Sequence, residues 1–149
     1  MTGSLDGSKI GRLGEDVAFR YLMDMCSRLP DPPRVIWNNK DCEKLEPFDI
    51  LIEHADGRIQ KCEVKTRWKK QSARSSRQWF ISLREIQYAL LKGKDYFCIL
   101  IELQEQISDD TSRSAVPMRM DFFLVGYDTG GLCAALTEDK DLGLVIQMN

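Results

Sequence analysis

Histidine is almost absent from this chain: one residue of 149, His54, carries an imidazole. Cysteine pairs at metal-binding spacing are missing too. The five cysteines, Cys26, Cys42, Cys62, Cys98 and Cys133, contain no C-x-x-C pair and lie in apolar surroundings. A structural or catalytic zinc centre is therefore not expected. An odd number of unpaired thiols in such surroundings reads as small buried side chains of an intracellular protein, cytoplasmic or nuclear. No apolar run reaches the ~20 residues of a membrane span, and no secretory signal opens the chain. No internal repeat is visible. Net charge is only −2, so the molecule as a whole is no general polyanion binder, and any attraction to nucleic acid has to come from local clustering.

What is present suits one globular domain. Hydrophobic residues make up 43% of the chain, enough for a proper core at this length. Residues 1–9 are polar and Gly/Ser-rich and read as a flexible lead, and residues 10–149 as a single domain. So short a chain, starting this abruptly, is what one domain of a longer protein would look like. From Ile10 to Met25, the residues Ile10, Leu13, Val17, Ala18, Tyr21, Leu22 and Met25 recur on one face of a helix. Gly14 falls in that face, where it costs ~1 kcal/mol of helix propensity; close approach of the helix to a sheet would compensate. Glu15 stands at the edge of the same face.

"RLPDPP" stops the helix, "RVIWN" is a short strand, and "PFDILIE" and "RIQKCEVKT" follow as paired strands around "ADG". "RWKKQSARSSRQ" reads as a loop and "WFI" as a brief strand. Ser82 with Glu85 has the capping-box spacing, so a second helix should begin there, bury Leu83, Ile86 and Leu90, and end near Gly93. "DYFCILIEL" has the continuous apolarity of a central strand. Residues 104–116 read as a polar loop and 117–149 as extra strands, including "MRMDFFLVGY" and "LGLVIQM". The order α-β-β-β-α-β-β indicates an α/β (α+β) fold, a central mixed sheet flanked by helices.

The hairpin carries the chemistry. Strand side chains alternate, so Glu63 and Lys65 share a face. Asp49 joins them if Ala55–Gly57 form a three-residue loop, with Gly57 in the left-handed position; with a two-residue loop it faces away. If the faces agree, two carboxylates meet across a ladder and repel each other. A divalent cation, Mg²⁺ or Mn²⁺, would offset that through hard oxygen ligands. Lys65 would then orient or deprotonate a water held by the metal. Asp, Glu, Lys and a cation together make a phosphodiester hydrolysis site. The competing reading is an ion-pair network on a solvated sheet face.

"PFD", thirteen residues, then "EVK" resembles the PD-(D/E)xK nuclease signature. In order, "GRLGEDVAFRYL", "WNN", "PFDILIE", "CEVKTR", "WFISLREIQYAL" and "KDYFCILIE" resemble the NO VEIN C-terminal (DUF3883-type) domain family. The resemblance implies a restriction-endonuclease-like core, α-β-β-β-α-β. It also implies a metal site in which Glu15 joins Asp49 and Glu63, with Lys65 as the catalytic lysine. A separate feature agrees: no acidic residue lies between Lys65 and Arg84. Arg67, Trp68, Lys69, Lys70, Arg74 and Arg77 are the expected contacts to nucleic acid, DNA before RNA, through phosphate pairing and base stacking. Trp68 reads as exposed and Trp79 as core; Glu85 reads as a cap, His54 as an exposed turn neighbour, Tyr88 and Tyr96 as packing. Two other functions fit the same pattern. One is a catalytically silent nucleic-acid-binding module. The other is a protein-interaction domain of a larger regulator, using "MDFFLVGY". Oligomeric state is not legible here.

Overall fold

The first helix is built on a spacing of four. A computed structural model describes residues 7–41, 46–69, 78–107, 113–124, 133–137 and 143–147. In it α1 spans Gly7–Ser27, so helix begins inside the stretch read as a lead. Ile10, Gly14, Ala18, Leu22 and Cys26 are all buried. A stripe at every fourth residue drifts around a helix of 3.6 residues per turn. Tyr21 and Met25, expected on the buried face, are consequently left exposed, and Cys26 takes their place. Gly14 makes the close approach expected of it: a Cβ there would lie 1.7 Å from Thr66 Oγ1.

Three strands follow as a meander: β1 (Arg34–Trp37), β2 (Ile50–Glu53) and β3 (Ile59–Trp68). The β2–β3 turn has the three-residue form. His54 N–H donates to Arg58 O at 2.8 Å, and Gly57 sits at φ +89°. Ile50 pairs with Cys62 and Glu53 with Ile59, a register that brings Asp49 level with Glu63. Strand β3 runs on through Arg67 and Trp68, which the sequence had assigned to a loop. Its extension is held by parallel pairing of Lys61–Trp68 with the next core strand, and the Arg67 side chain is covered by the Trp79 ring.

After β4 (Gln78–Ser82), α2 spans Leu83–Lys92 and ends at Gly93, with the capping box formed by Ser82 and Glu85. Ile86 packs in the core as expected; the side chains of Leu83 and Leu90 lie outside the described residues. A single 3-10 turn leads into β5 (Tyr96–Ile107), which pairs with β6 (Arg113–Phe123). The polar loop read over 104–116 is thus largely hairpin: Gln104 pairs with Val116 and Ile107 with Arg113. Polar residues are tolerated there because Gln104 and Glu105 are exposed. Pro117 lies beside a bulge in β6, the last strand in the sheet order, a position that spares the ladder a missing N–H. Two further strands, β7 (Cys133–Thr137) and β8 (Gly143–Gln147), complete the chain.

The main sheet has the order β1-β2-β3-β5-β6, with only β3 and β5 parallel; β4-β8-β7 form a second, antiparallel sheet. Each face of the main sheet has its own core. On one, Ile10, Ala18 and Leu22 of α1 meet Ile52, Val64 and Ile99. On the other, Trp79, Ile81 and Ala89 meet Tyr96, Cys98 and Leu100. Alternation along β3 places Val64 in the first and turns Glu63 and Lys65 toward the second.

Candidate functional site

Strand β2 stops where β3 continues, and the candidate site occupies the resulting notch. Asp49 N–H still donates to Cys62 O at 2.8 Å. One step further, its carboxylate takes over from the missing backbone: Val64 N–H donates to Asp49 Oδ2 at 2.8 Å. The segment entering the notch is anchored by apolar and polar contacts together. Phe48 is buried beside Tyr88, Lys61 Nζ lies 4.7 Å over the Phe48 ring, and the buried Tyr96 hydroxyl donates to Pro47 O at 2.9 Å.

Around Asp49 the predicted residues converge. The carboxyls of Glu63 and Glu15 stand close enough to act on its titration. Asn39, buried at 7% exposure, bridges the two elements: its Nδ2 donates to Asp49 Oδ1 at 2.7 Å and to Glu15 Oε1 at 3.1 Å. Trp37 Nε1 also donates to Glu15 Oε1 at 3.3 Å. Arg12 stacks on Trp37 and donates to the carbonyls of Asn39 and Lys40. Glu15 thus reaches the notch from the α1 side, while Glu63 reaches it from the α2 side.

Lys65 lies next along the face, and its ammonium pairs with Glu85, at 3.0 Å from Oε1 and 2.9 Å from Oε2. Both side chains are largely enclosed, 17% and 11% exposed. Glu85 Oε1 also accepts from Ser82 Oγ at 2.7 Å and Ser82 N–H at 3.3 Å. The residue read as a helix cap is therefore also the lysine's partner. Sequence reasoning missed Asn39 as a bridge and Glu85 as a site neighbour. Their only signals were the "WNN" triplet and the S-x-x-E spacing, and neither says what lies opposite in space.

The electrostatics follow from enclosure. Burial foremost, then the neighbouring Glu15, raise Asp49 to about 7, against the pull of the Val64 N–H. Burial, then Asp49 and Glu85, raise Glu63 to about 9 despite Lys65. Burial is the largest influence on Lys65 and opposes its charge, but Glu85, then Glu63, together hold the ammonium above its usual range. The notch is thus a place where burial and like-charged neighbours make two carboxyls hold their protons above the ordinary range.

Among the described residues no three or more Asp, Glu, His or Cys side chains form a ready cation cage. A pair is present instead. Mg²⁺ keeps most of its waters and is commonly held by one or two carboxylates, with substrate phosphates completing the shell. The hard, crowded oxygens of Asp49 and Glu63 fit such an ion, with Glu15 at the margin.

The expected nucleic-acid contacts fare differently. Arg67 stacks on Trp79 at 3.9 Å and reaches Glu102 at 3.4 Å. Trp68, expected to be exposed, is half-buried against the α1-side core; Trp79 is core as expected. Lys69 is exposed, and its N–H donates to Leu103 O at 2.7 Å. Lys70, Arg74 and Arg77 lie outside the described residues. His54, at the turn, is partly covered and bonds Gln60 at 2.7 Å. Among the described residues no helix is long and apolar enough to cross a membrane.

Comparison with known proteins places this constellation in context. The chain is similar to Protein NO VEIN of Arabidopsis thaliana, 31% identical over 87 residues, which is 58% of this chain and 3% of that protein. It is similar to Protein NO VEIN-LIKE of the same plant, 28% identical over 99 residues, 64% of this chain and 14% of that protein. The chain therefore spans only a small part of the length of these relatives. No solved structure matches it. The family model described as Protein NO VEIN, C-terminal, matches residues 14–112, a stretch that includes Glu15, Asn39, Asp49, Glu63, Lys65 and Glu85. The chain belongs to the NO VEIN C-terminal domain family.

Proposed function

We propose that this domain is a metal-dependent nuclease of the restriction-endonuclease-like, PD-(D/E)xK type, hydrolysing phosphodiester bonds in DNA, with RNA as the lesser alternative. The observation that carries the reading is the register that sets Asp49 level with Glu63 on one face of the sheet, each carboxyl acting on the other's titration, with Lys65 next along the same face. The order of elements supports it: a helix, three antiparallel strands, then, after β4 of the smaller sheet, a helix and a strand parallel to the third.

In this reading Asp49 and Glu63 would hold Mg²⁺ or Mn²⁺, with Glu15 assisting. When bound, the cation supplies charge neutralisation on the phosphate and a water acidic enough to be a nucleophile. Lys65 would donate a hydrogen bond to the attacking water or to a phosphate oxygen of the substrate. Asn39 fixes the Asp49 carboxylate, and the Tyr96 hydroxyl fixes the loop that delivers it. Lys69, with Lys70, Arg74 and Arg77, holds the substrate backbone. By analogy with the much longer relatives, other domains of a longer chain would supply targeting.

The test is cleavage of labelled single- and double-stranded DNA with Mg²⁺, Mn²⁺ or chelator. Asp49→Asn and Lys65→Met should each lower cleavage by about a hundredfold or more while DNA binding persists. Metal-dependent cleavage that survives both substitutions would remove the proposal.

A further inference from the structure

Lys65 does not sit where simple attraction would put it. Its ammonium is carried on a long flexible stem and emerges two residues from Glu63, on the same face as the Asp49–Glu63 pair. Two carboxyls crowded together are the natural destination for a mobile cationic side chain. Instead both close contacts from Nζ go to Glu85. Glu85 is itself immobilised. Its Oε1 accepts from Ser82 Oγ and Ser82 N–H, and its own N–H donates back to Ser82 Oγ at 3.2 Å. It stands at the third position of α2, where the exposed N–H dipoles of a helix start favour a carboxylate. The close pairing of the lysine is thus with an anchored acid on another element, while Glu63 acts on it only from a greater distance.

We propose that Glu85 is a positioning residue that sequesters the Lys65 ammonium, so that the Asp49–Glu63 carboxyl pair is left open to a divalent cation. The proposal rests on the metal-dependent reading and deepens it: it assigns Glu85 a role beyond capping. A lysine resting on Asp49 and Glu63 would be an internal substitute for the metal. Held by Glu85, it remains beside the cation without competing for its ligands.

The test is Mn²⁺ binding, followed by the electron paramagnetic signal of the free ion, for the wild type, Glu85→Gln, Lys65→Met and the double variant. Glutamine is a competent capping-box residue, so E85Q can keep the capping hydrogen bonds while removing the charge that pairs with Lys65. E85Q should weaken Mn²⁺ binding by about tenfold or more, the usual effect of losing a residue that orients metal ligands. K65M in the same chain should restore affinity to about the wild-type value, because the competing ammonium is gone. A merely structural role for Glu85 would weaken binding with or without Lys65. Unchanged affinity in E85Q, or no rescue in the double variant, would overturn the inference while leaving the metal site standing. Absence of saturable Mn²⁺ binding in the wild type would overturn both. Should E85Q not unfold cooperatively, Ser82→Ala, which removes one of the anchors of Glu85, should show the same weakening and the same K65M rescue; their absence would equally overturn it.

Discussion

A carboxyl that loses its water holds its proton longer, and this notch encloses two of them. Both Asp49 and Glu63 have folded-state values above those of the unfolded chain. Below the ordinary carboxylate range, near pH 4, folded and unfolded chains are equally protonated at these groups and their contribution is fully favourable. As pH rises through about 7 and then about 9, the unfolded chain has already ionised freely while the folded chain gives up its protons with difficulty, and stability is lost. Glu63→Gln should therefore unfold at higher urea concentration than the wild type at pH 8, by about 1–3 kcal/mol, with the difference shrinking toward pH 5. Parallel urea titrations at the two values check this, and a gain that is the same at both would contradict the burial account. At this scale the sequence was informative about types and spacing. Asp49, Glu63 and Lys65 were identifiable because alternation and one turn length relate them. Asn39, Glu85 and Tyr96 were not, because each acts on a partner brought near only by tertiary packing.

Between elements, the tightest constraint is where α1 crosses β3. Gly14 has no room for a methyl group, since the nearest obstacle is the Thr66 side chain on a strand held by its pairing with β5. Gly14→Ala should cost about 1–3 kcal/mol from overpacking, despite alanine's better helix propensity, and Thr66→Gly in the same chain should recover part of the loss; thermal unfolding of the three variants decides. Because Glu15 follows Gly14 directly, the same crossing positions the outer carboxyl of the site. A glycine inside an apolar helical face announced this contact without naming its partner. The extensions of β3 and of the β5–β6 hairpin gave no such notice. Their residues are polar or charged, and what keeps them in strands is pairing, together with the cover that Trp79 gives Arg67.

Across the whole molecule, a central mixed sheet flanked by helices was foreseeable from the order of apolar runs; that it has five strands is a finding of the structure. The smaller sheet was not: β4 pairs with β8 and β8 with β7, connections between distant parts of the chain that no local pattern encodes. The proposed cation site makes a prediction at this scale. A divalent ion that binds only the folded chain raises its melting temperature, and carboxyls must shed protons to accept it. Ten millimolar Mg²⁺, on the order of typical assay conditions, should raise the melting temperature at pH 8 by a few degrees more than at pH 5, and Asp49→Asn should abolish the difference. Equal shifts at both values would point to nonspecific ion effects.

The turn after β2 contacts none of the groups in the notch, yet it decides their parity. Removing a single residue from Ala55–Gly57 would leave every acid and the lysine in the chain, while rotating Asp49 to the wrong side of its strand. A lesion that small, in a part of the surface with no chemistry of its own, would separate possession of the right residues from possession of a working site.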